Sequence, residues 1–197
     1  MGDDARQTAE VTALDRVSLP SFYSLIHLAR TGSTNDEAKR LAAEGAADGT
    51  LIWADSQTAG RGRRGRLWQS PPGNLYVSII LRPGLPVARL GQVGFAAALA
   101  IVETAASLLP PSAVVCCKWP NDVLIDGRKT AGLLLETDSL ADGSAAWLVL
   151  GVGINIAGHP ADTEYPATSF AAAGGTALER RPHEHGDCSL SMRVHPV

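Results

Sequence analysis

Seven consecutive residues, Gly60-Arg61-Gly62-Arg63-Arg64-Gly65-Arg66, carry four arginines and three glycines and run into Leu67-Trp68. The chain around them is acidic, with a formal net charge of -3 over 197 residues. The positive charge is therefore local, and no global field favours a nucleic-acid partner. Glycine lets backbone approach a ligand closely, and each guanidinium offers paired donors that match phosphate or carboxylate. Such a loop repels itself until an anion enters it. A disordered arginine–glycine segment touching RNA or a membrane surface is the competing reading. The position between two expected strands, and the closing tryptophan, favour a loop that folds over a ligand. Its glycine spacing is neither that of a Walker loop nor that of a dinucleotide fingerprint.

Three further groups can join this chemistry. Lys118-Trp119-Pro120-Asn121-Asp122 sets a lysine, an amide and a carboxylate in a rigid turn at a strand end, although Pro-Asn-Asp is also plain turn chemistry. Lys129 follows an Asp126-Gly127 turn; one lysine there is usually a solvated charge, but beside a pocket it can neutralise charge growing at a phosphate. Ser33-Thr34-Asn35 and Gln57 are neutral donors and acceptors. Hydroxyls and an amide at a helix start serve as caps, and equally suit an uncharged ureido-type ring or an anion. Gly151-Val152-Gly153-Ile154-Asn155 ends a strand with two glycines, where backbone can come near a ligand, and then an amide.

These residues need elements to hold them. Residues 23–28 read as a strand, and residues 36–44 as a helix with acids in its first turn and Gly45 as its stop. Thr34 and Glu37 have capping-box spacing. Residues 51–54 and 75–81 read as strands, residues 88–108 as the longest helix, and residues 113–118 and 123–125 as two more strands. Asp126-Gly127 is a two-residue hairpin turn returning into residues 130–137. A second hairpin turns at Asp142-Gly143 and returns through residues 147–156. Strands joined by tight turns and packed with helices predict an α+β or mixed α/β fold with a largely antiparallel sheet. The organisation expected is a flexible arm over residues 1–20, one folded domain over 21–170 and a poorly ordered tail over 171–197.

Hydrophobic residues make up 45% of the chain, enough for one soluble globular core. The N-terminus carries no secretory signal, Arg6 spoils a myristoylation motif, and apolar stretches are broken before about 18 residues, so no membrane span is expected. Cys116, Cys117 and Cys188 cannot all pair. The adjacent pair, in an apolar run, reads as reduced core thiols of a cytoplasmic protein. His183, His185, Cys188 and His195 match no zinc spacing, so no metal site is expected.

In this order the segments resemble the biotin–protein ligase family. Its hallmarks are the Ser-Thr-Asn element, Gln57 before the Gly-Arg loop and Trp68, the Lys118–Asp122 turn, Arg128-Lys129 with Ala131-Gly132-Leu133-Leu134-Leu135-Glu136, and Gly151–Asn155. Tyr165-Pro166-Ala167-Thr168-Ser169 resembles the stretch just past the site. The likeness runs over about residues 23–170. It implies a class II synthetase-like biotin/lipoate ligase catalytic domain. The implied reaction activates biotin with ATP and Mg²⁺ to biotinyl-5'-AMP, then passes biotin to a lysine of a biotin carboxyl carrier protein. By the same resemblance, Ser33, Thr34, Asn35, Gln57, Arg61, Gly62, Arg63, Lys129 and Gly132 serve biotin. Arg63, Arg66, Trp68, Lys118, Asn121 and Asn155 serve ATP and the adenylate. Lys129 and Arg63 are the catalytic pair, and no covalent protein nucleophile is needed.

Two departures from the family pattern set expectations. No DNA-binding module precedes the domain, so a repressor role and nucleic-acid binding are not expected. The family continues past residue 170 through a helix into a small β-barrel, where this chain has 27 residues of different composition; weakened ligation is the expectation. A nucleic-acid binder using residues 60–66 would leave the other motifs unexplained. A lipoyl- or octanoyl-transferring enzyme of the same fold would not show the arginine loop in this form.

Overall fold

The structure, a computed structural model, describes residues 19–175. Most of the expected arm and of the expected tail, with Cys188 and its histidines, lies outside those residues.

Strand β1 (Ser24–Leu28) leads into helix α1 (Thr34–Ala43), and β2 (Thr50–Ala54) returns beside β1. The helix builds from alanine, lysine, arginine and leucine, with Asp36 and Glu37 at its positive N-terminal end. It stops in a Schellman turn: Gly45 N–H reaches Ala42 C=O, Ala46 N–H reaches Leu41 C=O, and Gly45 takes φ +91°. The expected capping box does not form. Ser33 is the N-cap and makes no side-chain cap bond, because Thr34 lies inside the helix and turns its hydroxyl to Gln57.

After β3 (Leu75–Leu81) come α2 (Gly91–Leu108), β4 (Val115–Lys118), β5 (Asp122–Ile125), β6 (Arg128–Ser139) and β7 (Ala145–Ile154). The seven strands form one mixed sheet in the order β1-β2-β3-β7-β6-β5-β4, parallel only between β1 and β2. The expected mixed α/β class with a largely antiparallel sheet is what forms. Ile125 pairs with Arg128 across Asp126 (φ 50°) and Gly127 (φ 74°), the left-handed pair a type I′ hairpin requires.

Alternation along the strands assigns the two helices to opposite faces. On β7, Val149 packs with Ala38 and Ala42 of α1. Its neighbour Leu150 packs with Ala98 of α2 and with Leu133 and Ala131 of β6. With its preceding turn, helix α2 spans Val87–Leu108, long and apolar enough to cross a membrane by length and composition alone, a test that a core helix passes as well. Gly94, Ala98 and Ala105 are buried on its inner side, the small residues that let a core helix lie close to a sheet.

One expectation is corrected: Cys116 and Cys117 are exposed rather than core thiols. They lie on β4, the outermost strand, where α2 covers only Val115.

Candidate functional site

The sheet face that carries α1 continues beyond the N-terminus of that helix, and there three of its positions are glycine. Gly132 and Gly153 face each other across β6 and β7, and Gly151 follows on the same face. A Cβ on Gly151 would lie 1.9 Å from Asn35 Oδ1; one on Gly153 would lie 2.7 Å from the Trp68 ring. These glycines are the floor of a cavity of about 720 Å³, within the range of small-molecule sites. Every residue expected to serve biotin or ATP lines it: Ser33, Thr34, Asn35, Gln57, Arg61, Gly62, Arg63, Arg66, Trp68, Lys118, Asn121, Lys129, Gly132 and Asn155.

The helix start and Gln57 form one polar corner. Gln57 Oε1 accepts from Thr34 N–H (2.8 Å) and Thr34 Oγ1 (3.1 Å), while its Nε2 donates to Ser70 Oγ (2.9 Å). The amide orientation is thereby fixed, and one N–H donor of Gln57 is left over. Asn35 is differently placed. Its Nδ2 donates to Glu136 Oε2 (2.8 Å) and toward Leu134 C=O (3.5 Å), and its Oδ1 lies 2.6 Å from Ser78 Oγ. Both ends of its amide are bonded inside the protein, and it supports the corner from beneath.

The arginine loop is a small hairpin. Trp68 N–H bonds Gly60 C=O, Gly62 N–H bonds Arg66 C=O, and a 3₁₀ turn at Arg63–Gly65 forms the tip with Arg64 at φ 58°. Its four arginines part company. Arg61 grips both oxygens of Asp36 (2.5 and 2.8 Å) and reaches Glu136 Oε2 (2.9 Å) and Ser33 Oγ (3.3 Å). Arg63 donates to Asn121 Oδ1 (3.1 Å), Arg66 lies 4.0 Å from Glu164, and the tip is otherwise solvated.

Burial by itself would raise the carboxyl pKa values of Asp36 and Glu136. Hydrogen bonds and charge from Arg61 and Lys39, with Asn35 added at Glu136, more than reverse this and hold both below the usual carboxylate range. Asp36 and Glu136 in turn hold the Arg61 proton more tightly.

Opposite the loop, Lys129 Nζ lies 2.7 Å from Asp122 Oδ1 and 5.3 Å from the centre of the Trp68 ring. The approach to Asp122 is off the hydrogen-bonding axis, so that oxygen is buried without a hydrogen-bond donor. Trp68 Nε1 is likewise buried without an acceptor. Lys118 Nζ sits 4.0 Å over the ring of Tyr165. Asn121 Nδ2 ties its turn, which contains a cis Trp119–Pro120 bond, to Leu133 C=O at 3.0 Å. Asn155 is buried and donates to Thr168 C=O at 3.0 Å.

Sequence reasoning missed five polar residues of this site: Asp36, Ser70, Ser78, Asp122 as the partner of Lys129, and Glu136 as a hub. One left a signal: Ser78 stands between the inward-facing Tyr76 and Ile80 of β3, where a polar group must have a partner.

The arrangement has known counterparts. Residues 28–155 match the model of the biotin/lipoate A/B protein ligase family. A biotin–[acetyl-CoA-carboxylase] ligase of Paracoccus denitrificans is 44% identical over 133 residues, covering 68% of this chain and 55% of that one. The bifunctional ligase/repressor BirA of Bacillus subtilis is 40% identical over 158 residues, covering 75% and 46%. The chain thus spans about half the length of these two relatives. Among solved structures, a biotin protein ligase from Aquifex aeolicus in complex with biotin and ATP superposes with a TM-score of 0.62 at 32% identity, covering 79% of this chain and 64% of that one. With the matched segment taking in the helix start, the arginine loop, the Lys118–Asp122 turn and the glycine floor, this chain belongs to the biotin/lipoate A/B protein ligase family.

Proposed function

We propose that the cavity joins biotin to ATP as biotinyl-5'-AMP, and that the biotinyl group then passes to a lysine of a biotin carboxyl carrier protein. The observation that carries this reading is the gathering of residues from five sequence segments around one cavity, with a neutral polar corner at one end and cations over the other. The spare Gln57 donor and the Thr34 corner suit an uncharged ureido ring. The Trp68 face and the glycine floor suit a flat aglycone or ring system.

In the first step a biotin carboxylate oxygen attacks the α-phosphorus, and the bond to the bridging oxygen of pyrophosphate breaks. Charge grows on the equatorial phosphate oxygens, within reach of Lys129 and of the Arg63 side chain as the loop tip closes. The partly buried Asp122, its Oδ1 2.7 Å from Lys129 Nζ, aims that lysine into the cavity before the nucleotide arrives. In the second step the neutral ε-amine of a carrier lysine attacks the acyl carbon, AMP leaves with the bonding pair, and the surplus amine proton passes to solvent. Arg66, Lys118, Asn121 and Asn155 are assigned to the nucleotide side. Among the described residues no three histidine, cysteine, aspartate or glutamate side chains converge on a metal position. These residues therefore offer magnesium no cage of their own, and the ion would come with the phosphates. Residues 21–170 are taken as the catalytic unit and the cytoplasm as its compartment.

Incubation with biotin and α-labelled ATP, followed by chromatography, tests the reading. Biotinyl-adenylate and equimolar pyrophosphate are expected, with slower trypsin cleavage after Arg63, Arg64 and Arg66 when both substrates are present. Lipoate and octanoate run in parallel, since the family includes lipoate enzymes. Adenylate from either of those and none from biotin would overturn the assignment.

A further inference from the structure

The arginine loop is held by one end. Its base is packed: a Cβ at Gly60 would meet Ser70 Oγ at 2.5 Å, Trp68 C=O at 2.6 Å and Gln57 Nε2 at 2.9 Å. Its tip is open, with no atom near enough to obstruct a Cβ at Gly65 and the first at Gly62 only at 3.8 Å. Arg61 belongs to the base and is the one loop arginine gripped by two carboxylates.

Glu136 is where the grip meets the ligand corner. From the centre of β6 this single carboxylate accepts Asn35 Nδ2 (2.8 Å), Lys39 Nζ (3.0 Å) and Arg61 Nη2 (2.9 Å). Asn35 is the residue whose other end, through Ser78, underlies Thr34. One side chain thus ties the loop base, the start of α1 and the sheet together. It touches none of the groups assigned to the reacting atoms.

We propose that Glu136 is a positioning residue that fixes the base of the arginine loop against the N-terminus of α1, so that the loop closes on its ligand by movement of its tip alone. The proposal deepens the biotin–ATP reading and rests on it for the identity of the ligand. The hinge itself is independent of that identity. With the base fixed, only residues 62–66 need to be ordered when an anion binds, and Arg63 starts within reach of its final position. With the base free, the whole loop would have to be ordered at once, at a larger entropic cost.

The test uses Glu136→Gln, which keeps size and one acceptor but removes the charge. Without substrates, trypsin cleavage after Arg63, Arg64 and Arg66 should rise about five-fold, as expected when local opening becomes easier by a modest amount. Cleavage elsewhere should stay near the parent, and the thermal midpoint should fall only by the few degrees that losing Glu136's own ion pairs costs. In the adenylation assay the KM for biotin should rise more than kcat falls. The double variant Arg61→Ala with Glu136→Gln should raise tip cleavage by less than the two single effects combined, since the Arg61–Glu136 link is lost in each of them. Arg61→Lys keeps charge and protease site but loses the two-pronged grip, and it leaves Glu136 intact should Glu136→Gln fail to fold. Raised tip cleavage in it supports the proposal, and parental cleavage overturns it. Parental cleavage in Glu136→Gln, or faster cleavage across the whole chain with a midpoint lowered beyond those few degrees, also overturns it, the latter reducing Glu136 to a general structural role. Absence of adenylate from the parent protein would sink the ligand assignment and leave the protease comparison to decide the hinge.

Discussion

Gly151→Ala adds one methyl group to the second-last turn of the β7 pleat, and the structure gives the consequence a definite sign. A glycine in an extended strand whose φ is not left-handed normally gains about 0.4–1 kcal/mol when changed to alanine, because the unfolded chain becomes less free. Here the new Cβ would fall 1.9 Å from Asn35 Oδ1, 2.7 Å from its Cγ and 2.9 Å from its Nδ2. Asn35 has little room to retreat: it is 5% exposed and bonded to Ser78, Glu136 and Leu134 C=O. Overpacking costs about 1–3 kcal/mol, and a buried polar group forced from its partners about 1–3 kcal/mol more. The net loss should be roughly 2–5 kcal/mol, lowering Tm by about 4–20 °C for a domain of this size. The assay is a thermal melt of the parent, Gly151→Ala, Asn35→Ala and the double variant, with biotin binding measured by calorimetry. In the double variant the clash is gone, so it should be more stable than additivity of the two single changes predicts. A single variant melting at or above the parent would refute the claim that Asn35 is pinned beneath the site.

Lys129→Ala should slow pyrophosphate release by roughly 10²–10³ at saturating substrates, the scale of losing one aimed electrostatic group, with a nearly unchanged melt; near-parental turnover would return Lys129 to an ordinary surface charge. Arg63→Ala should release preformed biotinyl-adenylate about 10–100-fold faster, from a lost charged hydrogen bond of about 1.5–3 kcal/mol, and an unchanged off-rate would remove Arg63 from the phosphate. For pH, Asp36 and Glu136, facing Lys39 and Arg61, titrate below their ordinary values in the folded protein. The unfolded state therefore binds protons first as pH falls, and the stability these carboxylates contribute is complete above their unfolded pKa values and lost through their lower folded ones. Denaturation midpoints should be flat from pH 7 to about 5.5 on their account and fall below about pH 4.5, with a shallower fall in an Asp36→Asn, Glu136→Gln variant.

The hairpin at Asp126-Gly127 and the helix stop at Gly45 were legible in the sequence because each is set by the φ preferences of one or two adjacent residues. The groups of the site were legible for a related reason: arginines, glycines and amides at fixed short spacings restrict the chemistry whatever surrounds them. Partner choice was not local. Arg61 finds Asp36 at a separation of 25 residues and Glu136 at 75, and Asn35 finds Glu136 at 101. Those pairings follow from the order and register of seven strands, which place β6 beside β7 and both beneath the start of α1. The same register gave Asn35 its buried partners Ser78 and Glu136, and placed Gly132, Gly151 and Gly153 on one face as a floor. Tertiary structure also moved Cys116 and Cys117 to the surface, since an apolar run is buried only if something covers it and β4 lies at the sheet edge. A sequence specifies which groups can bond; the strand register decides which of them are near enough to do so, because hydrogen bonds and ion pairs act over about 3 Å while the chain between the partners runs for tens of residues.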